Sequence, residues 1–178
     1  MDSFLSADII ADGLLWYVVF LFSTTLHEAA HAFTAMKMGD YTAYHGGQVT
    51  LNPFPHVQRE PIGTVVVPVL SFFLGGWMMG WASAPYDPQW ALRYPKRSAL
   101  MSLAGPAANL VLVLVSAMLI RIGIAAEVFT APESITFTHL TQSVQEGTWT
   151  HVATMLSVFF SLNLLLFAFN LLPVPPLD

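Results

Sequence analysis

The sequence predicts an α-helical polytopic membrane protein with three transmembrane helices, one re-entrant segment broken by proline and glycine, and a short β element. Of its 178 residues, 55% are hydrophobic and only 10% are charged, and the mean hydropathy is +0.61. A soluble domain of this size is far less apolar. Four apolar stretches are each near the length that a hydrocarbon core of about 30 Å requires: Leu14 to Met36, Ile62 to Trp81, Ala99 to Ile120 and Val152 to Leu172.

Composition also excludes several kinds of site and partner. The chain has no cysteine, so a metal site would have to use imidazole and carboxylate groups. No basic patch suggests a nucleic-acid partner. Residues 1–12 contain no Lys or Arg, so they lack the positive n-region of a secretory signal. We therefore expect the first apolar stretch to be retained, and no composition shift divides residues 1–178 into more than one domain.

The second apolar stretch, Ile62 to Trp81, differs from the others. Pro68, Gly75 and Gly76 interrupt it, and a broken backbone at membrane depth is tolerated only where protein or a water-filled cavity shields it. We expect this stretch to re-enter the membrane without crossing it, and to border a sheltered pocket. The alternating residues Gln48 to Leu51 in the preceding loop predict a short strand.

The positions of the basic residues favour the re-entrant topology. With three crossings, five of the six basic residues share one side of the membrane and only Arg121 lies on the other, which is a clear positive-inside bias. With four crossings the bias disappears. We expect the N-terminus and the acidic loop Arg121 to Thr150 to lie outside. The five residues expected on the cytoplasmic side are Lys37, Arg59, Arg93, Lys96 and Arg97.

The first stretch contains the pattern HExxH, formed by His27, Glu28 and His31. A helical spacing of four residues places both imidazoles on one face with the carboxylate beside them, which is a zinc-binding pattern. Alternatively, these side chains are buried polar groups bonded between helices. Burying two imidazoles and a carboxylate inside a bilayer costs several kcal/mol unless something compensates, and a divalent cation does so most simply.

For His45 and His56, which lie in the loop after the first stretch, we expect surface or interfacial roles.

Catalytic zinc usually takes three protein ligands and a water molecule, so a third donor has to come from elsewhere in the chain. Asp178 is the best candidate. Its carboxylate directly follows the fourth apolar stretch, which Pro173 and Pro176 bring to an end.

Taken together, these motifs resemble the site-2 protease family of intramembrane zinc metalloproteases. Its members pair HExxH with a later NxxPxxPLDG, which occurs here from Asn170 to Asp178, and a Gly-Pro-Ala-Ala-Asn run ends at Asn109. The resemblance extends from about residue 23 to the end. Because the glycine that follows the aspartate in the family is missing, we expect a core that is truncated at its C-terminus.

The resemblance implies one Zn²⁺ per chain, held by His27, His31 and Asp178, with Glu28 as the general base. It also implies that Asn109 and Asn170 contribute polar contacts near the scissile peptide. From the residues alone, either Asn could equally hydrogen-bond between helices.

We therefore expect a zinc-dependent endopeptidase that hydrolyses peptide bonds in or near transmembrane segments of membrane-anchored proteins. The resemblance suggests the plasma membrane of a prokaryote, with the active site toward the cytoplasm. The alternatives are a membrane zinc transporter and a non-catalytic zinc-binding membrane protein. A transporter would typically place ionisable residues on several helices.

Gln48 to Leu51 or Gly80 to Ala82 could hold an extended substrate by strand addition. The oligomeric state stays open.

Overall fold

The computed structural model describes residues 6–172, so Asp178 lies outside the described part of the chain. The chain forms two compact units, residues 1–105 and 106–178. The elements in chain order are α1 (Ala7–Met38), α2 (Thr42–His45), α3 (Phe54–Arg59), a π-helical turn (Ile62–Val66), α4 (Val67–Gly75), α5 (Pro88–Arg93), α6 (Pro95–Ala125), β1 (Phe129–Thr130), β2 (Gln142–Ser143) and α7 (Thr148–Phe169).

Among the described residues, three helices are long and apolar enough to cross a membrane: α1, α6 and α7. This confirms the expected number. Their large apolar side chains are often exposed, as Leu14 and Leu114 are at 61% and 60%. Apolar surface of this extent on long helices is what lipid covers, since a soluble protein would bury it. The chain is therefore an integral membrane protein.

The second apolar stretch is only partly helical. The π-helical turn has five residues and α4 has nine, and α4 ends at Gly76, whose φ is 74°. At 1.5 Å per residue, the π-helical turn and α4 together, Ile62–Gly75, measure about 20 Å. This is short of the roughly 30 Å needed to cross a membrane. Residues 78–87 that follow have no regular secondary structure. Helix of this length is compatible with re-entry, which itself stays a prediction.

The end of α1 is fixed by a left-handed cap and a buried carboxylate. Gly39 has φ 103°, and its backbone N–H donates to carbonyls of the last helical turn. Asp40 is 3% exposed. Its carboxylate accepts hydrogen bonds from the backbone N–H and hydroxyl of Thr42, at 2.9 and 2.6 Å, and from the backbone N–H of Asp87, at 2.8 Å. One side chain thus ties the end of α1 to the start of α5.

The strand predicted at Gln48 to Leu51 is wrong. Val49, Thr50 and Leu51 form bends, and the Gln48 N–H donates to the Ala43 carbonyl at 2.9 Å, within the same loop and not across to another strand. The Thr50 hydroxyl accepts from the N–H of Asn52 at 3.0 Å, and the Asn52 side chain accepts from the N–H of Phe54 at 3.0 Å. Within residues 6–172 the β structure is instead the antiparallel pair β1 and β2, together with one isolated bridge between Thr136 and His139.

His56 does not lie at the surface, contrary to the expectation, whereas His45 is exposed. The His56 side chain is 2% exposed, and its Nε2–H donates to the Thr50 carbonyl at 3.1 Å. Burial lowers the pKa of His56, and this effect outweighs the opposing one of that hydrogen bond. The imidazole therefore serves as a neutral internal support for the loop.

Glycines allow the segment after α4 to pack against the π-helical turn. The N–H of Trp81 donates to the Gly63 carbonyl at 3.1 Å. A Cβ at Gly63 would collide with the Trp81 carbonyl, and one at Gly80 would lie 2.8 Å from the Phe20 ring and 2.9 Å from Pro68. Only hydrogen at these two positions leaves room for such an approach.

The second unit carries its own apolar cluster, formed where the loop after α6 packs against the end of α6 and the first half of α7. Phe129, Ala153 and Leu156 are buried together, with Ile120 and Val152 packed against them. A Cβ at Gly123 would collide with the Phe129 ring. The Thr141 hydroxyl donates to the Thr130 carbonyl at 3.1 Å, and the Leu140 N–H donates to the Ser157 hydroxyl at 3.0 Å. The loop between α6 and α7 is thus folded onto both helices.

Gly63→Ala should lower the free energy of unfolding by about 1–3 kcal/mol, the usual cost of overpacking. The added methyl group meets the Trp81 backbone, which cannot rotate away. Thermal unfolding of the detergent-solubilised protein measures the change. Gly46→Ala is the matched control, because its Cβ would make an ordinary contact of 3.5 Å with the Ala43 carbonyl. Equal stability of the two variants would contradict this packing.

Asp40→Asn should destabilise the protein most near neutral pH. Burial alone raises the pKa of Asp40, but the hydrogen bonds from Thr42 and Asp87 outweigh it and hold the pKa below its ordinary value of 3.8. The carboxylate therefore contributes stability above that value, and the contribution is lost as the pH falls through the lowered pKa. Measured at several pH values, the difference in the free energy of unfolding between wild type and variant should shrink below about pH 4. A difference that does not change with pH would contradict this prediction.

Candidate metal centre

The HExxH residues lie on the buried face of α1. His27, Glu28 and His31 are 4%, 6% and 6% exposed, and the helix continues without a break through them. The Nε2 atoms of the two imidazoles are 2.9 Å apart, and their rings meet edge to face with centroids 4.6 Å apart. The spacing of four residues has therefore brought two potential ligand nitrogens to one point, as the sequence predicts.

A backbone carbonyl fixes the orientation of one of these imidazoles. His31 Nδ1 lies 2.7 Å from the carbonyl oxygen of Met101, in the first half of α6. A carbonyl can only accept, so Nδ1 carries the proton and donates it. In the neutral ring this leaves the lone pair on Nε2, the atom that faces His27. A hydrogen bond to the far nitrogen is the usual way in which proteins orient a metal-ligating histidine.

Gly105 borders the same point from α6. A Cβ at this position would collide with the Nε2 atoms of both His27 and His31. The absence of a side chain therefore lets the backbone of α6 approach the imidazole edges closely. Any larger residue would have to displace the ring nitrogens from the place where they converge.

These residues fit zinc as far as the described chain extends. Tetrahedral zinc with bonds of about 2.0–2.1 Å holds two nitrogens roughly 3.3 Å apart, and the observed 2.9 Å lies within a few tenths of an ångström. Imidazole is a preferred zinc ligand, and the lone pair on His31 Nε2 is available to it. Within residues 6–172, no group of three His, Cys, Asp or Glu side chains is arranged to hold a metal. The predicted third ligand, Asp178, lies beyond them.

Asn109 is engaged in the interhelical hydrogen bond that the sequence left open as its alternative role. Its Nδ2 donates to Oδ1 of Asn163 on α7 at 2.7 Å, and Asn163 Nδ2 donates to the Phe159 carbonyl at 2.8 Å. Both amides are 0% exposed. The bond to Phe159 orients the Asn163 amide, and this in turn orients Asn109.

Asn170 lies at the C-terminal cap of α7, and its backbone N–H donates to the Leu166 carbonyl at 3.1 Å. Its side chain is partly buried. The structure therefore joins His27 with His31 in the first unit, and Asn109 with Asn163 in the second. A role for Asn170 stays a prediction.

Three contributors to these sites were missed by sequence reasoning. Met101 acts through its carbonyl, which any residue would supply, so no sequence signal could have identified it. Gly105 was noted as part of a motif, but its contact with the imidazoles depends on how α1 and α6 approach each other. Asn163 is a polar residue within an apolar stretch, and such residues usually face a protein interior. That signal could have found it.

Comparison with known proteins agrees with this geometry. The family model described as peptidase family M50 matches residues 15–178. YwhC of Bacillus subtilis is 34% identical over 181 residues, an alignment that covers 100% of this chain and 71% of YwhC. YwhC and the Rip2 proteins below bear names that describe them as zinc metalloproteases.

Rip2 of Mycobacterium tuberculosis is 32% identical over 158 residues, which cover 89% of this chain and 51% of Rip2. Rip2 of Mycolicibacterium smegmatis is 40% identical over 92 residues, or 52% of this chain and 34% of that protein. No solved structure matches the chain. The match to the family model over most of the sequence and the similarity to YwhC over its whole length lead to one conclusion: the chain belongs to peptidase family M50, and its resemblance to the site-2 proteases is confirmed.

Proposed function

We propose that this protein is a zinc-dependent intramembrane endopeptidase that cleaves membrane-anchored proteins in or near their transmembrane segments. The observation that carries the proposal is the convergence of His27 and His31 Nε2, at 2.9 Å, next to buried Glu28 on a helix long enough to cross a membrane. The names of YwhC and the Rip2 proteins support zinc as the metal.

His27 and His31 would hold one Zn²⁺ through Nε2, with Asp178 as the third protein ligand. The Met101 carbonyl, 2.7 Å from His31 Nδ1, keeps that imidazole turned toward the site. When bound, zinc polarises the scissile carbonyl and makes the attacking water more acidic.

Glu28 would act as the proton carrier. Its place between the two histidines on a buried helix face brings a carboxylate next to the proposed metal site. There it accepts the proton from the attacking water and later delivers it to the leaving amine. Burial restricts access of bulk water, so that the proton remains on this group between the two steps.

Asn109 and Asn170 would contribute hydrogen bonds to the substrate backbone. For Asn109 the supporting observation is its fixed orientation, since Asn163 accepts from it at 2.7 Å within a fully buried pair. An amide held in this way loses little conformational entropy when it binds a peptide group. For Asn170 the support is the family motif alone.

The substrate would have to unwind before cleavage, because a helix hides its carbonyls in i to i−4 hydrogen bonds. The segment Gly80 to Ala82 has no regular secondary structure, and the Trp81 N–H donates to the Gly63 carbonyl at 3.1 Å. It could hold an unwound substrate by strand addition. The bends at Gln48 to Leu51 make that loop the poorer candidate.

The metal site would lie toward the cytoplasmic face of a prokaryotic plasma membrane. With α1, α6 and α7 as the crossings, Lys37, Lys96 and Arg97 lie together on one side, as the positive-inside rule requires.

Glu28→Gln should abolish cleavage and leave zinc binding intact, because the amide cannot accept the proton and Glu28 is not a ligand. Asp178→Ala should instead weaken zinc binding. Both effects are measured on purified protein whose chain is extended past Asp178. Zinc content reports metal binding, and cleavage of a model transmembrane substrate reports activity. Glu133→Gln, an exposed carboxyl in the second unit, is the control. Cleavage by Glu28→Gln at the wild-type rate, or zinc flux through liposomes, would overturn the proposal.

Gly105→Ala should lower zinc affinity by about ten- to a hundredfold, the range found when groups next to metal ligands change. The methyl group would occupy the point at which His27 and His31 Nε2 converge. Competition with a zinc chelator measures the affinity. Gly46→Ala, which adds the same methyl group away from the histidines, is the control. If Gly105→Ala bound zinc as tightly as wild type, the metal could not lie where the two nitrogens meet.

A further inference from the structure

A polar cavity of about 490 Å³ lies in the first unit, away from the histidines. Cavities of this size commonly accept small ligands or parts of larger ones. Residues from the end of α1, the loop after it, and α5 line it. Those that matter here are Gly39, Asp40, Tyr41, Asp87, Trp90 and Arg93, with Tyr94 following α5.

The cavity lies where α1 ends and α6 begins, the level at which helices that cross a membrane would meet the headgroups. α1 ends at Met38 and α6 begins at Pro95, so both helices leave the apolar region on this side. Tyr and Trp side chains are enriched at this level in membrane proteins, and the wall of the cavity contains Tyr41, Trp90 and Tyr94. A ligand here would come from the lipid interface as readily as from water.

One wall of the cavity carries a buried donor without a protein acceptor. Trp90 is 7% exposed, and within residues 6–172 its buried indole nitrogen has no hydrogen-bond partner. A buried Trp N–H usually finds one. The Cβ that Gly39 lacks would lie 3.8 Å from Trp90 Nε1 and 3.8 Å from Arg97 Nη1. Arg97 Nη1 already donates to the Met38 carbonyl at 3.0 Å, so the unpartnered donor beside the space that a side chain at position 39 would fill is the Trp90 N–H. The Arg97 guanidinium adds positive charge there, and together they make a place suited to an anionic oxygen.

The opposite part of the lining is acidic and aromatic. Asp40 is fully engaged by its three hydrogen bonds. Asp87 is exposed, and one of its oxygens caps α5 by accepting from the Gln89 N–H at 2.8 Å. With the guanidinium of Arg93 the cavity carries both signs of charge. A purely anionic ligand would meet two carboxylates, whereas a zwitterion would find complementary charge for each of its ends.

We propose that this cavity binds the headgroup of a zwitterionic aminophospholipid, phosphatidylethanolamine. Its phosphate oxygens accept hydrogen bonds from Trp90 Nε1 and the guanidinium groups of Arg93 and Arg97. Its ammonium group lies against the Asp87 carboxylate and the Tyr41 ring. The proposal is independent of the protease function, since none of these residues belongs to the proposed metal site.

A headgroup in this position would strengthen the connection between α1 and α5. Asp40 already joins the two through the Asp87 N–H, and Arg97 donates to the Met38 carbonyl at 3.0 Å. The lipid would bridge Gly39, Trp90 and Arg93, so its binding to the folded state would raise the stability of the first unit.

The test is lipid-dependent thermal unfolding of the delipidated full chain in detergent. The probes are short-chain phosphatidylethanolamine, phosphatidylcholine, phosphatidylglycerol and inorganic phosphate, each titrated separately. Trp90→Phe keeps a ring and removes the N–H, and Arg93→Gln and Asp87→Asn change exposed residues that are not expected to affect folding. Trp149→Phe, at an exposed tryptophan of the second unit, is the matched control.

We expect phosphatidylethanolamine to raise the unfolding temperature more than the other probes. Trp90→Phe and Arg93→Gln should each weaken its apparent affinity at least about tenfold, the loss expected for one hydrogen bond to a charged group. Asp87→Asn should remove the preference over phosphatidylglycerol, and Trp149→Phe should behave as wild type. Equal shifts for all lipids, equal binding of inorganic phosphate, or unchanged affinity in all three cavity variants would overturn the proposal.

Discussion

The structure depends on keeping two imidazoles and a carboxylate away from lipid on a single membrane helix. Unpaired, these groups would cost several kcal/mol in hydrocarbon. The buried face of α1 is polar over nearly three turns, including Ser23, Thr24, His27, Glu28 and His31, whereas Val18, Phe22 and Phe33 on the same helix are exposed. A helix at the surface of a soluble protein shows the opposite pattern, with its apolar side chains buried and its polar side chains exposed. The surrounding chain has to supply a polar and sterically narrow environment for that face.

The chain meets this requirement largely with backbone. From α6 it contributes the Met101 carbonyl, which accepts from His31, and the bare Cα of Gly105, which leaves room for both Nε2 atoms. Gly63 and Gly80 permit a similarly close approach between the π-helical turn and the segment after α4. Small residues are the common means by which membrane helices approach each other, since water does not drive their association. A side chain at these positions would separate the polar groups that need each other.

Features that depend on local sequence could be predicted, whereas those that depend on tertiary approach could not. The presence and order of α1, α6 and α7 follow from apolar runs, although α1 and α6 extend beyond those runs at both ends. The convergence of His27 and His31 follows from helical periodicity. The strand predicted at Gln48 to Leu51 failed because this loop bonds to itself, with the Gln48 N–H donating to the Ala43 carbonyl and the Thr50 hydroxyl accepting from the Asn52 N–H. The burial of His56 and the partnership of Asn109 with Asn163 involve contacts that alternation and spacing do not encode.

The two buried polar sites differ in whether protein groups alone can satisfy them. An amide carries both donors and an acceptor, so Asn163 can accept from Asn109 and donate to Phe159 at the same time. An imidazole has one proton when neutral, and that of His31 is already committed to Met101. Its Nε2 lone pair faces His27 Nε2 at 2.9 Å, where one shared proton can join them. A cation at the same point would satisfy both lone pairs at once, which is why this pair, unlike the asparagines, is suited to a metal.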